Sequence, residues 1–309
     1  MSMIMKEDVQ SRSVNLPLDG DGCFSPASVR NIGILAPGDD LRLAPSLATP
    51  VRSPDDIWTE ICEAANGVIA KEPLLALHVQ QLVLNQTSLN GAVAAVLAHK
   101  LQSADVTGAA LRTLCEFEFD NDESITRAIV ADLSAVRERD PACASTLHVL
   151  LNLKGFQALQ AHRLSHLLWN QERTELAFFL ANRASLVFSI DIHPAARIGR
   201  GVMLDHGTGI VIGETAVVED NVSLLQEVTL GGTGKENGDR HPKVRSGVMI
   251  GAGAKILGNI EIGMMSKIAA GSVVLRNVPA YCTVAGVPAK VVRQVSTTRC
   301  PSLEMDQSV

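Results

Sequence analysis

The sequence is poor in aromatic residues and has no long apolar segment. Phe, Trp and Tyr make up 3% of its 309 residues, so few side chains are available to stack on bases. Its Lys and Arg residues form no basic stripe, and we therefore expect no nucleic-acid partner. No run of 18 apolar residues occurs, which argues against a transmembrane helix and a membrane partner.

Cysteine is also sparse, and its spacing argues against two common uses. The six cysteines stand singly along the chain, at Cys23, Cys62, Cys115, Cys143, Cys282 and Cys300. Disulfide frameworks and structural zinc sites usually show closely spaced cysteines, so neither is expected. Isolated thiols are typical of a reducing compartment, and we therefore predict a cytoplasmic protein without a metal site.

Residues 1–52 contain Gly, Pro, Ser and mixed charges without hydrophobic periodicity. This composition predicts a mobile extension. Transit peptides are poor in acidic residues, whereas this segment holds Glu7, Asp8, Asp19, Asp21, Asp39 and Asp40. Import into an organelle is therefore less favoured than a cytoplasmic location, although it stays open.

Residues 53–188 show the period of amphipathic helices. Ser53-Pro54-Asp55-Asp56 combines an N-cap residue, a proline in the first turn and acidic residues at the positive end of a helix. Further helices are expected to begin at Asn121 or Asp122 and to span about 144–169 and 174–188. The sequence thus predicts an all-α domain, which would also cover the open end of a following repeat structure.

From Ile192 onward, apolar residues recur every six positions. One series contains Ile192, Ile198, Leu204, Ile210, Ala216, Val222 and Val228, and a second series contains Ile212, Val218, Leu224 and Leu230. An α-helix does not give this period, whereas a coil of three short parallel strands does. We therefore predict an α+β protein of several domains, with a left-handed parallel β-helix of hexapeptide repeats over 189–295 and a tail over 296–309.

The step from Val228 to Val248 breaks the period, because it is not a multiple of six. The stretch between them lacks the apolar series and is rich in Gly, Lys, Asp, Arg and His. We expect a loop that leaves the β-helix over about 231–247. Long loops in compact folds often carry function, and a flexible insertion is the alternative.

His206 falls in the second apolar series, where the following positions hold aliphatic residues. An imidazole there needs a buried partner, which is the structural interpretation, or it has a function. Asp191 lies 15 residues upstream, close to one coil of about 18. We therefore expect its carboxylate one coil below the imidazole, where it would hold the tautomer of a general base.

Several sequence strings together resemble the serine O-acetyltransferases, the hexapeptide acyltransferases that begin cysteine synthesis. The similarity covers about 53–293 and includes the helical domain, which hexapeptide proteins in general lack. The strings are Arg137-Glu138-Arg139-Asp140-Pro141-Ala142, Lys154-Gly155-Phe156-Gln157-Ala158, Asp191-Ile192-His193-Pro194-Ala195, Leu204-Asp205-His206-Gly207-Thr208-Gly209, Val228-Thr229-Leu230-Gly231-Gly232-Thr233-Gly234-Lys235, Gly238-Asp239-Arg240-His241-Pro242-Lys243 and Ala285-Gly286-Val287-Pro288-Ala289.

The resemblance implies transfer of an acetyl group from acetyl-CoA to the hydroxyl of L-serine, which yields O-acetylserine and CoA. It implies acetyl-CoA as a co-substrate, no permanently bound cofactor and no metal. The matching positions are His206 as general base with Asp191 as its orienting carboxylate, Asp140 and Asp205 for the serine ammonium, Arg240 and His241 for the serine carboxylate, and Gly232, Ala252, Lys267 and Ala270 for the CoA groove.

The family's assembly and regulation are further implications. β-Helices of this family form homotrimers with active sites between subunits, and the helical domains join two trimers into a hexamer. L-Cysteine is expected to inhibit at the serine site. Many family tails end in Ile and bind O-acetylserine sulfhydrylase, whereas this sequence ends at Val309, which weakens that expectation.

The sequence departs from the family pattern at Met265, Ser266 and Ala269. The family usually has Gly, Ala and Gly at these three positions, so the side chains here are larger. They stand beside Lys267, and we expect them to face solvent rather than to narrow the CoA groove.

Three other functions stay open. A γ-type carbonic anhydrase needs three His ligands on zinc, and His193, His206 and His241 contain no closely spaced pair. Acetyltransferases of sugars or antibiotics share the repeat but not the helical domain. A non-catalytic scaffold or regulatory subunit would keep the fold, although Asp191, His206 and Arg240 are all in place.

Overall fold

The computed structural model describes residues 52–234, 237–294 and 300–308. Nearly all of the predicted N-terminal extension and residues 295–299 lie outside these ranges. Within them, the chain forms helices first and short parallel strands afterwards, as the sequence predicts. None of the described helices is long and apolar enough to cross a bilayer.

The helical part contains α1 to α8 and the turns that join them. The bounds are α1 Pro54–Lys71, α2 Ala76–Val79, α3 Leu89–Leu101, α4 Gly108–Asp120, α5 Glu123–Arg139, α6 Thr146–Asn152, α7 Lys154–Asn170 and α8 Thr174–Phe188. Both predicted helix starts are confirmed. The Ser53 hydroxyl accepts a hydrogen bond from the Asp56 amide at 3.0 Å, and the Asp122 carboxylate accepts one from the Ser124 amide at 2.8 Å.

The single helix predicted over 144–169 is wrong, because it is divided between α6 and α7. Leu153 separates the two helices with φ −90° and ψ 103°. The break turns the start of α7 toward the first coil of strands. A Cβ atom built on Gly155 would lie 1.9 Å from the carbonyl oxygen of Leu204, so only glycine permits this approach.

The β-helix is built from strands of two to six residues. They are β1 Asp191–Ile192, β2 Arg197–Ile198, β3 Met203–Leu204, β4 Val211–Ile212, β5 Val217–Val218, β6 Ser223–Leu224, β7 Thr229–Gly231, β8 Lys243–Val244, β9 Met249–Ile250, β10 Lys255–Leu257, β11 Glu261–Ile262, β12 Lys267–Ile268, β13 Val273–Val274, β14 Cys282–Gly286 and β15 Ala289–Gln294.

These strands form three sheets, which are the three faces of a left-handed prism. Face A contains β1, β4, β7, β10 and β13, and face B contains β2, β5, β8 and β11. Face C contains β3, β6, β9, β12 and β14, with β15 antiparallel at its end. The chain passes from face C to face A at the C–A corner, and from face A to face B at the A–B corner.

Strand pairing shows where the regular coil is interrupted. Val211 pairs with Thr229 across a regular coil of 18 residues. Asp191 pairs with Val211, a step of 20, because two extra residues enter the turn after β3. The predicted assignment of the first coil is therefore wrong: Ile192, Ile198 and Leu204 pair with members of the second apolar series.

The second interruption is the predicted loop. Val217 pairs with Lys243, a step of 26, so eight extra residues leave the prism between β7 and β8. The loop is shorter than the predicted 231–247, because Lys243 and Val244 already belong to face B.

The end of the chain packs on face C. Residues 300–308 include α9, Pro301–Glu304, and the Ser223 hydroxyl donates a hydrogen bond to the Ser302 carbonyl at 2.9 Å.

The expectation that three unusual residues face solvent is wrong. Met265, Ser266 and Ala269 are 3%, 0% and 6% exposed. Met265 and Ser266 lie between β11 and β12, where Met265 fills the space beside Gly247 next to Cys300, and Ala269 lies between β12 and β13.

Candidate active site

The turn formed by residues 205–209 lies at the C–A corner, between β3 and β4, and holds the predicted catalytic histidine. The Gly207 amide donates a hydrogen bond to the Asp205 carbonyl at 2.6 Å, which closes a three-residue γ-turn around His206. His206 has φ +56°, and Gly207 and Gly209 also have positive φ. A left-handed backbone at a residue other than glycine is disfavoured and occurs often at functional sites.

The turn exposes the His206 side chain. The prediction that His206 occupies a buried aliphatic position is wrong, because the two extra residues move it out of the interior column. Its side chain is 75% exposed, and its Nε2 lies 3.9 Å from Asp205 Oδ1. The imidazole is therefore accessible to a reactant and lies beside a carboxylate.

A second carboxylate stands near this pair. Asp140 follows the last residue of α5, and its Oδ1 accepts a hydrogen bond from the Ala142 amide at 2.8 Å. Burial raises the pKa of Asp205 above its ordinary value; the adjacent His206 opposes this rise, and the Asp140 charge adds to it. The two carboxylates interact electrostatically, so they form an acidic site that suits a cationic group.

Asp191 borders the same turn from its other end. Its amide donates a hydrogen bond to the Ile210 carbonyl at 2.9 Å, so it lies at the C–A corner. Asp191 pairs with Val211 one coil above, so it lies one coil below the strand that follows the His206 turn, and its orienting role stays a prediction. Among the described residues, its carboxylate makes no hydrogen bond with His206, and it interacts electrostatically with His193.

Arg240 and His241 lie at the A–B corner, where the loop returns to the prism. Thr215 organises both residues, since its Oγ1 accepts hydrogen bonds from the Arg240 amide at 2.9 Å and the His241 amide at 3.1 Å. The Arg240 guanidinium pairs with Glu214 at 2.6 Å. This hydrogen bond holds the pKa of Glu214 below its ordinary range.

The His241 ring has a defined orientation and tautomer. Its Nδ1 accepts a hydrogen bond from the Thr215 amide at 3.2 Å, so Nε2 carries the proton of the neutral ring. A Cβ atom on Gly213 would lie 2.0 Å from Nε2, which shows how closely the ring packs on this glycine. Burial lowers the pKa of His241, and the Arg240 charge lowers it further.

The residues predicted to bind serine thus occupy two corners of one chain. Asp140 and Asp205 lie with His206 at the C–A corner, whereas Arg240 and His241 lie at the A–B corner. Face A separates the two groups. A single chain therefore does not bring the acidic and basic halves of the predicted site together.

The residues predicted for the CoA groove are also divided. Ala252 and Ala270 stack at the C–A corner, where the Gly271 amide donates a hydrogen bond to the Ala252 carbonyl at 2.8 Å. Gly232 follows β7 at the A–B corner. Lys267 lies on face C, is 7% exposed and is 3.9 Å from Asp306 of the C-terminal segment. Burial lowers its pKa, while Asp306 opposes this effect.

Sequence reasoning missed several residues that shape these corners. Thr215 and Gly213 seat His241, and Gly155 allows α7 to contact the residue before the 205–209 turn. Gly155 belongs to one of the strings that carry the family resemblance, which is the signal that could have marked it. The residues that the structure describes contain no group of three or more His, Cys, Asp or Glu able to hold a metal ion.

Comparisons with known proteins agree with this architecture. The N-terminal domain model of the serine acetyltransferases matches residues 57–161. The serine acetyltransferase of Escherichia coli K12 is 53% identical over 251 residues, which cover 81% of this chain and 92% of that protein. The serine acetyltransferase of Haemophilus influenzae Rd is 51% identical over 252 residues, covering 82% of this chain and 94% of that protein.

Solved structures give the same result. A serine acetyltransferase in complex with cysteine has a TM-score of 0.81 and 50% identity, covering 83% of this chain and 100% of that chain. The Brucella abortus enzyme with coenzyme A has a TM-score of 0.77 and 50% identity, covering 78% of this chain and 97% of that chain. The soybean enzyme with serine has a TM-score of 0.77 and 51% identity, covering 79% of this chain and 100% of that chain.

The aligned regions cover more than two thirds of this chain, so they include both the helical part and the β-helix. The chain belongs to the serine acetyltransferase family and is an acyltransferase that transfers the acetyl group of acetyl-CoA to the hydroxyl of L-serine.

Proposed function

We propose that His206 is the general base of this reaction and that Asp191 orients it. A serine hydroxyl is a poor nucleophile until a base takes its proton during attack on the thioester carbon. The observation that carries the proposal is the exposed imidazole at the centre of a γ-turn, beside Asp205. Imidazole is the side chain that most often acts as a general base in proteins.

Asp140 and Asp205 bind the serine ammonium, and Arg240 with His241 binds the serine carboxylate. The charges support these roles, since two carboxylates stand near His206, while Arg240 offers a planar guanidinium with several N–H donors. Arg240 now pairs with Glu214, so binding of the substrate carboxylate competes with this ion pair. L-Cysteine has the same ammonium and carboxylate groups, and its inhibition at this site follows from the replacement of a hydroxyl by a thiol.

The two halves of the site meet between subunits of a homotrimer. The C–A corner of one subunit faces the A–B corner of its neighbour, which would join the acidic and basic groups that face A separates within one chain. The helical region over 53–188 then pairs two trimers. Binding of O-acetylserine sulfhydrylase by the C-terminal tail would compete with the contacts of Ser302 and Asp306 on face C.

Acetyl-CoA binds along the C–A corner, where the small side chains of Ala252 and Ala270 leave room for the pantetheine arm, and Gly232 of the neighbouring subunit borders it. Lys267 joins this groove only if the C-terminal segment moves, because Asp306 and its neighbours cover it. We place the protein in the cytoplasm, which is consistent with free thiols at all five described cysteines.

The test is release of CoA from acetyl-CoA in the presence of L-serine, followed by a thiol colour reaction. We expect His206→Ala to lose at least about a hundredfold in kcat, because proton transfer by a positioned base contributes 10²–10⁴-fold. Serine-dependent release that is equal in both proteins would show that another group is the base. A folded, oligomeric wild type that releases no CoA would support a non-catalytic scaffold instead.

A further inference from the structure

The backbone of the 205–209 turn needs support from its surroundings. His206 has φ +56° and Gly207 and Gly209 have φ +76° and +75°. Such a backbone at a histidine persists when neighbouring groups hold it in place. Any motion of the turn would also move the His206 ring, since the ring is carried by the turn and its side chain is 75% exposed.

Backbone hydrogen bonds hold the exit of the turn. The Gly209 amide donates to the Ser189 carbonyl at 2.7 Å, and the Glu227 amide donates to the Thr208 carbonyl at 2.8 Å. These bonds connect the turn to the end of α8 and to the next coil. Among the described residues, no backbone hydrogen bond joins the turn to α7.

The first residues of α7 meet the turn. Gly155 packs on the carbonyl of Leu204. It also lies close to Gly207, since a Cβ atom built on Gly207 would be 3.5 Å from the Gly155 Cα. Next to this contact, the Lys154 ammonium donates a hydrogen bond to Thr208 Oγ1. The helix thus contacts the turn both before and after His206.

We propose that Lys154 and Thr208 form a clamp that positions His206 for proton transfer. The proposal rests on His206 being the base, and it adds a role for two residues outside the substrate-binding groups. Lys154 and Thr208 are positioning residues, because they act on the turn and not on the reacting atoms. The α6–α7 break at Leu153 serves this arrangement, since it brings Lys154 to the turn.

The clamp is tested with Lys154→Met, Thr208→Val and the double variant. Each single variant removes one partner of the hydrogen bond while it keeps most of the side-chain shape. We expect kcat to fall about 5- to 20-fold, with KM for serine and acetyl-CoA within about twofold, since substrate binding is unaffected. The double variant should lose no more than either single variant, because both act through one interaction.

Two further variants separate positioning from other effects. Thr208→Ser keeps the hydroxyl and should restore most of the kcat that Thr208→Val loses. Lys71→Met removes an ammonium from the exposed end of α1 and should leave kcat within about twofold. Additive losses in the double variant, or an increase in KM at constant kcat, would overturn the clamp.

Hydrogen exchange of a peptide covering 204–212 provides a readout that does not depend on activity. We expect its amides to exchange faster in Lys154→Met and Thr208→Val than in wild type and Thr208→Ser. Unchanged exchange in both variants would overturn the clamp. If His206→Ala keeps the activity of wild type, the proposed base is wrong, while the exchange result still decides whether the clamp exists.

Discussion

Asp205 and His206 are neighbours in sequence but have opposite surroundings. Asp205 is half-buried beside Asp140, whereas the His206 side chain is 75% exposed. The left-handed backbone at His206 separates the two side chains, since it reverses the chain within one residue. One turn thus supplies a carboxylate for substrate binding and an accessible imidazole for proton transfer.

The raised pKa of Asp205 predicts that this carboxylate costs stability at neutral pH. A carboxyl group whose folded-state pKa is raised stabilises the fold when it is protonated, and this contribution is lost as pH rises through the folded-state pKa. We therefore expect Asp205→Asn to melt at a higher temperature than wild type at pH 7. The difference should shrink on acidification and vanish below the unfolded-state pKa of about 3.9.

The same substitution should weaken substrate binding, because it removes one of two charges that face the serine ammonium. We expect KM for serine to rise at least about tenfold, as for the loss of one hydrogen bond to a charged group. Melting curves between pH 3.5 and 8, with steady-state kinetics, check both effects. Asp105→Asn removes an equal charge from an exposed loop and is the control. A lower melting temperature for Asp205→Asn at pH 7 would contradict the argument.

The contacts of Thr215 show why part of the site was not predicted from sequence. Thr215 holds the amides of Arg240 and His241 across a separation of 25 and 26 residues. This separation depends on how far the loop extends before it returns to face B. Arg240 and His241 were predicted through the family resemblance, but no local pattern marks the threonine that orients them.

At the scale of elements, the β-helix was predicted because every regular coil repeats the same local requirement. An inward aliphatic residue recurs at each strand, and the period of six records it directly. The two extra residues between Leu204 and Val211 were missed, because Ile210 and Ile212 both fit an apolar series. The division of α6 from α7 was missed for another reason: it depends on contact between Gly155 and Leu204, which are remote in sequence.

This contact predicts that Gly155→Ala damages both stability and catalysis. A Cβ atom 1.9 Å from the Leu204 carbonyl forces α7 away from the β-helix and disturbs the turn that follows. We expect a loss of about 1–3 kcal/mol, as for other overpacked sites, and a fall in kcat of at least about tenfold. Thermal unfolding and the CoA-release reaction measure the two effects.

Gly67→Ala is the matched control. Gly67 is an exposed residue within α1, and a Cβ atom there would meet nothing within 4 Å. We expect this substitution to stabilise the protein by about 0.5–1 kcal/mol, because alanine is the better helix former. The explanation of the α6–α7 break fails if Gly155→Ala and Gly67→Ala behave alike.

At the scale of the whole molecule, the division of charged groups between two corners decides how the site is completed. The acidic half and the base lie at the C–A corner, and the basic half lies at the A–B corner, on either side of face A. In a trimer with one kind of contact, each interface joins a C–A corner to a neighbouring A–B corner. Every active site then takes His206 from one subunit and Arg240 from the next.

This arrangement predicts that two inactive variants restore activity when they assemble together. His206→Ala and Arg240→Ala each lose catalysis alone. In a mixed trimer, an interface is intact when the Arg240→Ala subunit supplies His206 and the His206→Ala subunit supplies Arg240. Every mixed trimer contains one such interface among its three, so purified mixed trimers are expected to show about a third of wild-type activity.

Co-expression with two different affinity tags, followed by sequential purification, yields the mixed trimers for the CoA-release assay. His206→Ala with His206→Asn is the control pair, because both substitutions remove the base from the C–A corner and no interface regains it. Mixed His206→Ala and Arg240→Ala trimers that stay inactive would place the complete site within one chain. The distance between the two corners would then have to be closed by movement of residues 237–242, because Arg240 lies in that segment and His206 lies in a turn of the prism itself.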